Sequence, residues 1–88
     1  MIEKTVEILS PQGLHTRPAA MIVKLAAKYK AELYLSKDGL RINGKSIIGV
    51  MTLVAAHGTF LTLEFEGEDE AELANDILDF FNRGFDEI

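Results

Sequence analysis

The 88-residue sequence contains no cysteine and no tryptophan, only two prolines and no long apolar run. The absence of cysteine excludes disulfides, thiol catalysis and zinc sites built on thiolates. The longest mostly apolar stretch, residues 47–56, is too short to cross a bilayer. The first residues alternate like a strand and do not resemble a signal peptide. We therefore expect a cytoplasmic protein.

Basic residues are also scarce, with nine Lys and Arg against fourteen Asp and Glu. They are unevenly placed: through His57 there are eight basic and four acidic residues, and from Gly58 onward one basic and ten acidic. The pI of 4.9, without a basic stripe or interleaved aromatics, argues against nucleic-acid binding. An acidic protein partner that docks on the basic half is expected instead.

The apolar periodicity predicts seven elements in the order βαββαβα, within one small domain over residues 1–88. They are strands over 2–9, 31–36, from Leu40 and over 59–66, and helices over 18–29, 46–56 and from Asp69 to Arg83. Asp38-Gly39 predicts a two-residue hairpin turn, and His57-Gly58 predicts the end of the second helix. The residues expected in the core are Ile2, Val6, Ile8, Ile22, Leu25, Ala26, Tyr29, Ala31, Leu33, Leu35, Val50, Leu53, Val54, Leu61, Leu63, Phe65, Leu73, Ile77, Leu78 and Phe81.

This pattern predicts an α+β fold, because each strand has one apolar side that helices can cover. The expected architecture is an open-faced β-sandwich, in which a four-stranded antiparallel sheet carries three helices on one face. A ferredoxin-like fold with an added C-terminal helix shares the βαββαβ order and differs in strand placement. The pattern does not choose between the two.

The first chemically informative segment is GLHTRPAA, at residues 13–20. Thr16 is expected as a helix N-cap and Pro18 in the first turn, so that the helix begins near His15. Free N–H groups at a helix start favour a bound anion, and Arg17 adds a planar fork that matches phosphate oxygens. His15 is therefore a candidate acceptor of a phosphoryl group. The alternative is an exposed loop histidine before an ordinary helix.

The second segment is GKSIIGVM, at residues 44–51. Ser46 is expected as an N-cap, and the following helix is apolar on nearly every side. If Val50, Leu53 and Val54 face the core, then Ile47, Ile48 and Met51 are left exposed as a patch typical of partner binding. The alternative is a buried helix with a few tolerated exposed residues. His57 is expected to be a capping or solvent-exposed residue.

Residues 39–46 also satisfy the nucleotide-binding pattern G-x-x-x-x-G-K-[ST]. Residues 40–42 are nevertheless expected to form a strand rather than a loop around phosphates. The chain is also too short for the usual nucleotide-binding α/β domain. A small nucleotide-binding protein therefore stays only as a formal alternative.

GLHTRPAA resembles the phosphorylation-site signature of HPr, the histidine-containing phosphocarrier of the bacterial sugar phosphotransferase system. GKSIIGVM resembles the second signature of the same family, and the resemblance covers essentially all 88 residues. It implies the open-faced sandwich and a carrier rather than an enzyme, with no metal or cofactor. By resemblance, His15 accepts a phosphoryl group on Nδ1 from phospho-enzyme I and passes it to IIA domains for sugar uptake. Arg17 and the helix-start amides near Thr16 would hold the phosphate.

The resemblance also implies partners and regulation. The first two helices of HPr proteins form one surface for enzyme I and IIA domains, and the corresponding residues here are Ala20, Lys24, Lys45, Ile47, Ile48 and Met51. In one subgroup a kinase phosphorylates the serine that matches Ser46, and the product acts with a catabolite-control transcription factor. Ile48 departs from the bulkier residue common there. A nitrogen-related paralogue is the alternative within the family, a purely regulatory module is disfavoured by His15, and a monomer is expected.

Overall fold

Four strands and three helices follow one another in the predicted order. The computed structural model describes all 88 residues. The elements are β1 (Ile2–Glu7), α1 (Thr16–Ala26), β2 (Glu32–Lys37), β3 (Leu40–Asn43), α2 (Ile47–Met51), β4 (Phe60–Glu66) and α3 (Glu70–Asn82), followed by a 3₁₀ turn at Gly84–Asp86.

The strands form one antiparallel sheet in the order β1-β4-β2-β3. Val6 of β1 pairs with Leu61 of β4, and Leu35 of β2 pairs with Leu63 of β4, so that all four side chains lie on the same buried face. β1 lies at one edge and β4 lies inside the sheet. This strand placement is that of the open-faced sandwich and excludes the ferredoxin-like alternative.

The core lies between the apolar face of the sheet and the helices and contains 21 buried hydrophobic residues. Most of the predicted core residues are buried, while Ile2, Leu25, Tyr29 and Leu78 are partly buried at its margin. Val54 is the exception. Its side chain is 77% exposed, so its prediction as a core residue was wrong.

The hairpin between β2 and β3 follows the predicted turn. Lys37 pairs with Leu40, which leaves Asp38 and Gly39 as the two loop residues. Both have positive φ, 52° and 84°, as a type I′ turn requires, and this is why Asp-Gly is favoured there.

α2 is shorter than the sequence pattern predicted. It ends at Met51 instead of 56, and Val54 takes a positive φ of 47° that no helix contains. Beyond the helix the chain is held to the loop before α1, where the carbonyl of Ala55 accepts a hydrogen bond from the N–H of Leu14 at 2.8 Å. His57-Gly58 therefore does not end a helix. It forms the turn into β4, where the N–H of Gly58 donates to the carbonyl of Ile8.

The boundaries of α1 also differ from those expected. Thr16 is the first helical residue and His15 is the N-cap, so the prediction of Thr16 as the cap was wrong. α1 ends at Ala26, three residues early, because the chain turns before Tyr29. The carbonyl of Tyr29 accepts a hydrogen bond from Lys45 Nζ at 2.9 Å, and the Tyr29 hydroxyl donates to Asp76 of α3. This turn therefore joins α1 to the start of α2 and to α3.

Candidate functional site

His15 occupies a fixed position at the start of α1. Its carbonyl accepts the hydrogen bond from Ala19 N at 3.0 Å, and its own N–H donates to the carbonyl of Gly13 at 3.1 Å. Gly13 has a φ of +73°, and a Cβ there would lie 2.6 Å from the carbonyl oxygen of Ala55. The backbone is thereby held in place while the His15 side chain stays 33% exposed. A reactant can reach the ring.

The first turn of α1 presents unpaired donors beside this ring. The N–H groups of Thr16 and Arg17 precede the first intrahelical acceptor and make no backbone hydrogen bond, and Pro18 has no N–H to offer. The positive end of the helix dipole lies at the same place. This arrangement is suited to binding an anion.

A carboxylate from the other end of the chain completes the site. Glu87 Oε2 lies 2.7 Å from His15 Nε2 and 3.2 Å from Arg17 Nε, and Glu87 Oε1 accepts a hydrogen bond from Ser10 Oγ at 2.5 Å. We refer to Ser10, His15, Arg17 and Glu87 as the Glu87 cluster. The Ser10 hydroxyl, followed by His15 and Arg17, holds the pKa of the Glu87 carboxyl below its usual range. The carboxylate is therefore present near neutral pH.

The segment after α3 delivers this carboxylate. Gly84, Phe85 and Asp86 all have positive φ, so that the chain turns sharply back toward α1. The Phe85 ring is fully buried and packs against Phe80 and Phe81, with centroids 5.2 and 5.0 Å apart. The Phe85 carbonyl accepts a hydrogen bond from Arg17 Nη2 at 2.9 Å. Arg17 is thus anchored by both a carbonyl and a carboxylate.

Sequence reasoning missed Ser10, Phe85 and Glu87 as contributors to the site. Glu87 is 72 positions from His15 in sequence, and no local motif joins them. The charge asymmetry was the only available signal, because opposite net charges favour contacts between acidic residues of the second half and basic residues of the first. That signal does not single out one of the ten acidic residues in the second half.

The second predicted region lies at the start of α2. Ser46 is its N-cap, as predicted, with Oγ accepting a hydrogen bond from Gly49 N at 3.1 Å. Ile47, Ile48 and Met51 are exposed as expected, Ile48 by 76%, and the exposed Val54 lies a short distance along the chain. α2 packs against α1. The exposed apolar side chains therefore lie beside the helix that begins at His15.

The basic and small residues predicted for partner binding differ in their exposure and in their contacts. Ala20 and Lys24 are exposed on α1, as are Thr16 and Arg17 in its first turn. Lys45 is only half-buried and its ammonium group is engaged with the carbonyl of Tyr29. Lys45 therefore stabilises the junction of the two helices.

The nucleotide-binding alternative of the sequence analysis fits the structure poorly. Residues 40–43 of the nucleotide-binding pattern form β3, and Gly39 belongs to the hairpin turn, so they form no phosphate-binding loop. His57 is exposed in a turn, as expected, and makes no side-chain hydrogen bond. No three His, Cys, Asp or Glu side chains are grouped to hold a metal ion.

An open-faced sandwich with an accessible histidine at a helix start defines a small phosphocarrier domain. Residues 2–83 match the family described as the PTS HPr component phosphorylation site. The chain belongs to the HPr family of the phosphotransferase system. The HPr of Treponema pallidum is 41% identical over 87 residues, which cover 99% of each chain. The HPr-like protein Crh of Halalkalibacterium halodurans is 40% identical over 83 residues, which cover 94% of this chain and 99% of that protein.

Solved structures agree with this assignment. The HPr-C-His structure from Thermoanaerobacter tengcongensis has a TM-score of 0.95 at 39% identity and covers 100% of this chain and 99% of its own. A structure described as an HPr dimer from the same organism has a TM-score of 0.77 at 39% identity, with 97% and 98% covered. The expectation of a monomer therefore stays a prediction. No helix of this chain has the length and apolar character needed to span a membrane.

Proposed function

We propose that this protein carries a phosphoryl group on His15, accepting it from phospho-enzyme I and passing it to sugar-specific IIA domains. The observation that carries the proposal is the His15 ring, one-third exposed at the start of α1, with Nε2 paired to Glu87 and Nδ1 free of any hydrogen bond within the chain. A free ring nitrogen can act as a nucleophile toward phosphorus.

The surroundings of His15 are suited to the transferred group. The unpaired N–H groups of Thr16 and Arg17 and the Arg17 guanidinium can stabilise the charge on the phosphoryl oxygens. Transfer between two protein partners needs positioning and charge stabilisation, and these groups are suited to supply both. The protein acts as a carrier within a relay, because its own side chain is the group that becomes modified.

Partner docking is assigned to one surface formed by α1 and α2. This docking surface consists of Ala20, Lys24, Ile47, Ile48 and Met51, with Lys45 fixing the junction between the helices. Its exposed apolar centre and basic margin fit an acidic, partly apolar partner. Both enzyme I and the IIA domains would use it, because each must reach the same ring nitrogen.

Phosphorylation with labelled phosphoenolpyruvate and enzyme I tests the proposal. We expect acid-labile label on wild-type protein and on His57→Ala, and none on His15→Ala. His57 is the matched control because it is the only other histidine and is exposed outside the site. Label on His57, or stable label on another residue, would contradict the assignment.

A second, regulatory function is proposed for Ser46, which is exposed and adjacent to the apolar part of the docking surface. The similarity to Crh supports it, since a solved Crh structure from Bacillus subtilis is described as a catabolite repression protein. Phosphate on Ser46, added by a serine kinase, would place charge beside Ile47 and Ile48. We propose that it blocks enzyme I and creates a site for a catabolite-control transcription factor. No structural observation favours the nitrogen-related alternative.

A further inference from the structure

We propose that Val54 is a specificity-determining residue, whose exposed apolar side chain is held in a strained conformation and binds an apolar surface of phospho-enzyme I. The inference rests on the proposed function, whose docking surface does not include Val54. It deepens that function by naming one further contact that the phosphoryl donor must match.

The backbone of Val54 is strained. Its φ of 47° lies in the left-handed region, where a β-branched residue is a genuine outlier. Neither the N–H nor the carbonyl of Val54 makes a hydrogen bond within the chain, so the conformation is not that of a helix cap. Local bonding therefore does not offset the cost of this conformation.

Three other residues that are not glycine have positive φ, and each has an evident reason. Asp38 and Asp86 are of a type whose short polar side chain tolerates the left-handed region. Phe85 is fully buried, so the packing of its ring offsets the cost. Val54 is 77% exposed and gains no comparable packing. Its strain therefore has no compensation within the folded chain.

The chain holds Val54 in this conformation from both sides. The preceding Leu53 and the following Ala55 are both buried. Ala55 is also bonded through its carbonyl to the N–H of Leu14. With both neighbours fixed in the core, Val54 cannot relax its backbone without displacing them. The side chain is thus a rigid apolar projection into solvent.

Val54 lies between the two parts of the site that a phosphoryl donor must contact. It follows α2, where Ile48 of the docking surface is exposed. One residue later, Ala55 bonds to Leu14, which directly precedes His15. A donor that covers α2 and reaches the His15 ring therefore approaches the stretch that carries Val54.

Contact with the donor supplies the missing compensation. Covering an aliphatic side chain removes apolar area from water, and a β-branched side chain with few rotamers loses little freedom when it is bound. The part of enzyme I that faces Val54 is therefore expected to be apolar and shaped to admit a branched side chain. A donor without this feature would bind less tightly, which makes Val54 a determinant of specificity.

Three variants test the inference, with phospho-enzyme I as the probe. Val54→Gly removes both the side chain and the strain, whereas Val54→Thr keeps the size, the branching and the strain but adds a hydroxyl. Asp38→Gly is the matched control, because Asp38 also has positive φ and is exposed, in the turn between β2 and β3 and outside the docking surface. The measurements are the urea midpoint and, for phosphorylation of His15, the half-saturating concentration of enzyme I and the maximal rate.

We expect Val54→Gly to have a higher urea midpoint than wild type, because glycine adopts positive φ without strain. Its half-saturating concentration of enzyme I should nevertheless rise roughly 5- to 30-fold, the range for losing a partly covered aliphatic side chain from an interface, at an unchanged maximal rate. Val54→Thr should keep the wild-type midpoint and also need more enzyme I. Asp38→Gly should match wild type in half-saturation. A residue with only a structural role would not move stability and affinity in opposite directions.

Wild-type half-saturation in both Val54 variants would overturn the inference and leave the proposed function intact. A lowered urea midpoint of Val54→Gly would also overturn it, since the side chain would then stabilise the folded chain itself. An equal rise in half-saturation for Asp38→Gly would do the same, because the effect would not be confined to the surface that carries Val54. If enzyme I does not phosphorylate wild type, the proposed function fails and the inference fails with it.

Discussion

Ser10 and Glu87 are 77 positions apart in sequence and share a hydrogen bond of 2.5 Å between Ser10 Oγ and Glu87 Oε1. Ser10 is the one buried polar residue of the chain, so its hydroxyl requires a partner inside the protein. The bond joins the loop before α1 to the segment after α3. The position of Glu87 therefore depends on the fold as a whole.

The Glu87 carboxyl should make stability depend on pH. The Ser10 hydroxyl, His15 and Arg17 lower its folded-state pKa below the ordinary value of about 4.3. A lowered carboxyl pKa contributes stability that is fully present above the unfolded pKa and is lost as the pH falls through the folded pKa. Wild type should therefore exceed Glu87→Gln in unfolding free energy at about pH 5, and the difference should shrink as the pH falls below the ordinary carboxyl pKa.

Urea unfolding at a series of pH values measures this difference. Subtracting the unfolding free energy of Glu87→Gln from that of wild type removes the contribution of the carboxyls that the two proteins share. Asp69 and Glu70 also have lowered pKa values, because backbone N–H groups of Lys30 and Gly67 respectively donate to them. Glu68→Gln should track wild type throughout. A constant gap between wild type and Glu87→Gln across this range would contradict the assignment.

Arg17→Ala and Ile48→Ala should impair phosphotransfer in different ways. Arg17→Ala removes a charged donor from the site, a loss of roughly 1.5–3 kcal/mol, so transfer should slow even at saturating enzyme I. Ile48→Ala removes an apolar contact of the docking surface, so half-saturation should need more enzyme I while the maximal rate changes little. Steady-state rates against enzyme I concentration separate the two. A normal maximal rate for Arg17→Ala would refute its role.

Ser46→Asp should slow phosphorylation of His15 without unfolding the protein. Aspartate is as good an N-cap as serine, and α2 has only five residues, so the thermal midpoint should stay close to that of wild type. The charge would lie beside the apolar part of the docking surface and weaken the binding of an acidic partner. Ser46→Ala is the control, since it should cost roughly 0.5–2 kcal/mol of stability but leave transfer normal. Unchanged transfer by Ser46→Asp would reduce Ser46 to a helix cap.

Phe85→Ala should damage both stability and the site. Removing a fully buried phenylalanine costs roughly 3–5 kcal/mol, and the segment that carries Glu87 loses its anchor. Phe60→Ala is the matched control, because Phe60 is exposed and its removal should change stability by no more than about 0.5 kcal/mol. Urea unfolding and His15 phosphorylation rates are the two measurements. Equal stabilities of the two variants would show that Phe85 is no anchor.

The elements that the sequence predicted correctly are those whose signals are local. The alternating strands, the Asp38-Gly39 turn and the end of α3 each depend on residues a few positions apart, and all three are confirmed. α2 was predicted too long because its apolar composition fits a helix, whereas residues 52–56 leave the helix and Ala55 instead bonds to the distant Leu14. Tertiary contacts overrode the local preference there.

The same distinction holds for the candidate site. His15, Arg17 and Ser46 lie in short motifs whose residue types already indicate phosphate chemistry and capping, so they could be proposed from sequence. Glu87 could not, since its role depends on a turn of three consecutive positive φ values after α3 and on the burial of Phe85. Nothing in the local sequence indicates where that turn points.

The sheet order has a consequence for how the protein folds. β4 lies between β1 and β2, so β1 gains its only strand partner from residues about sixty positions later in the chain. Such distant pairing raises the contact order, and forming it costs loop-closure entropy before any contact stabilises the chain. We expect no stable intermediate made of the first three strands alone. A protein truncated within residues 52–58 should leave His15 unstructured. Carrier activity should therefore be present only when the whole chain is folded.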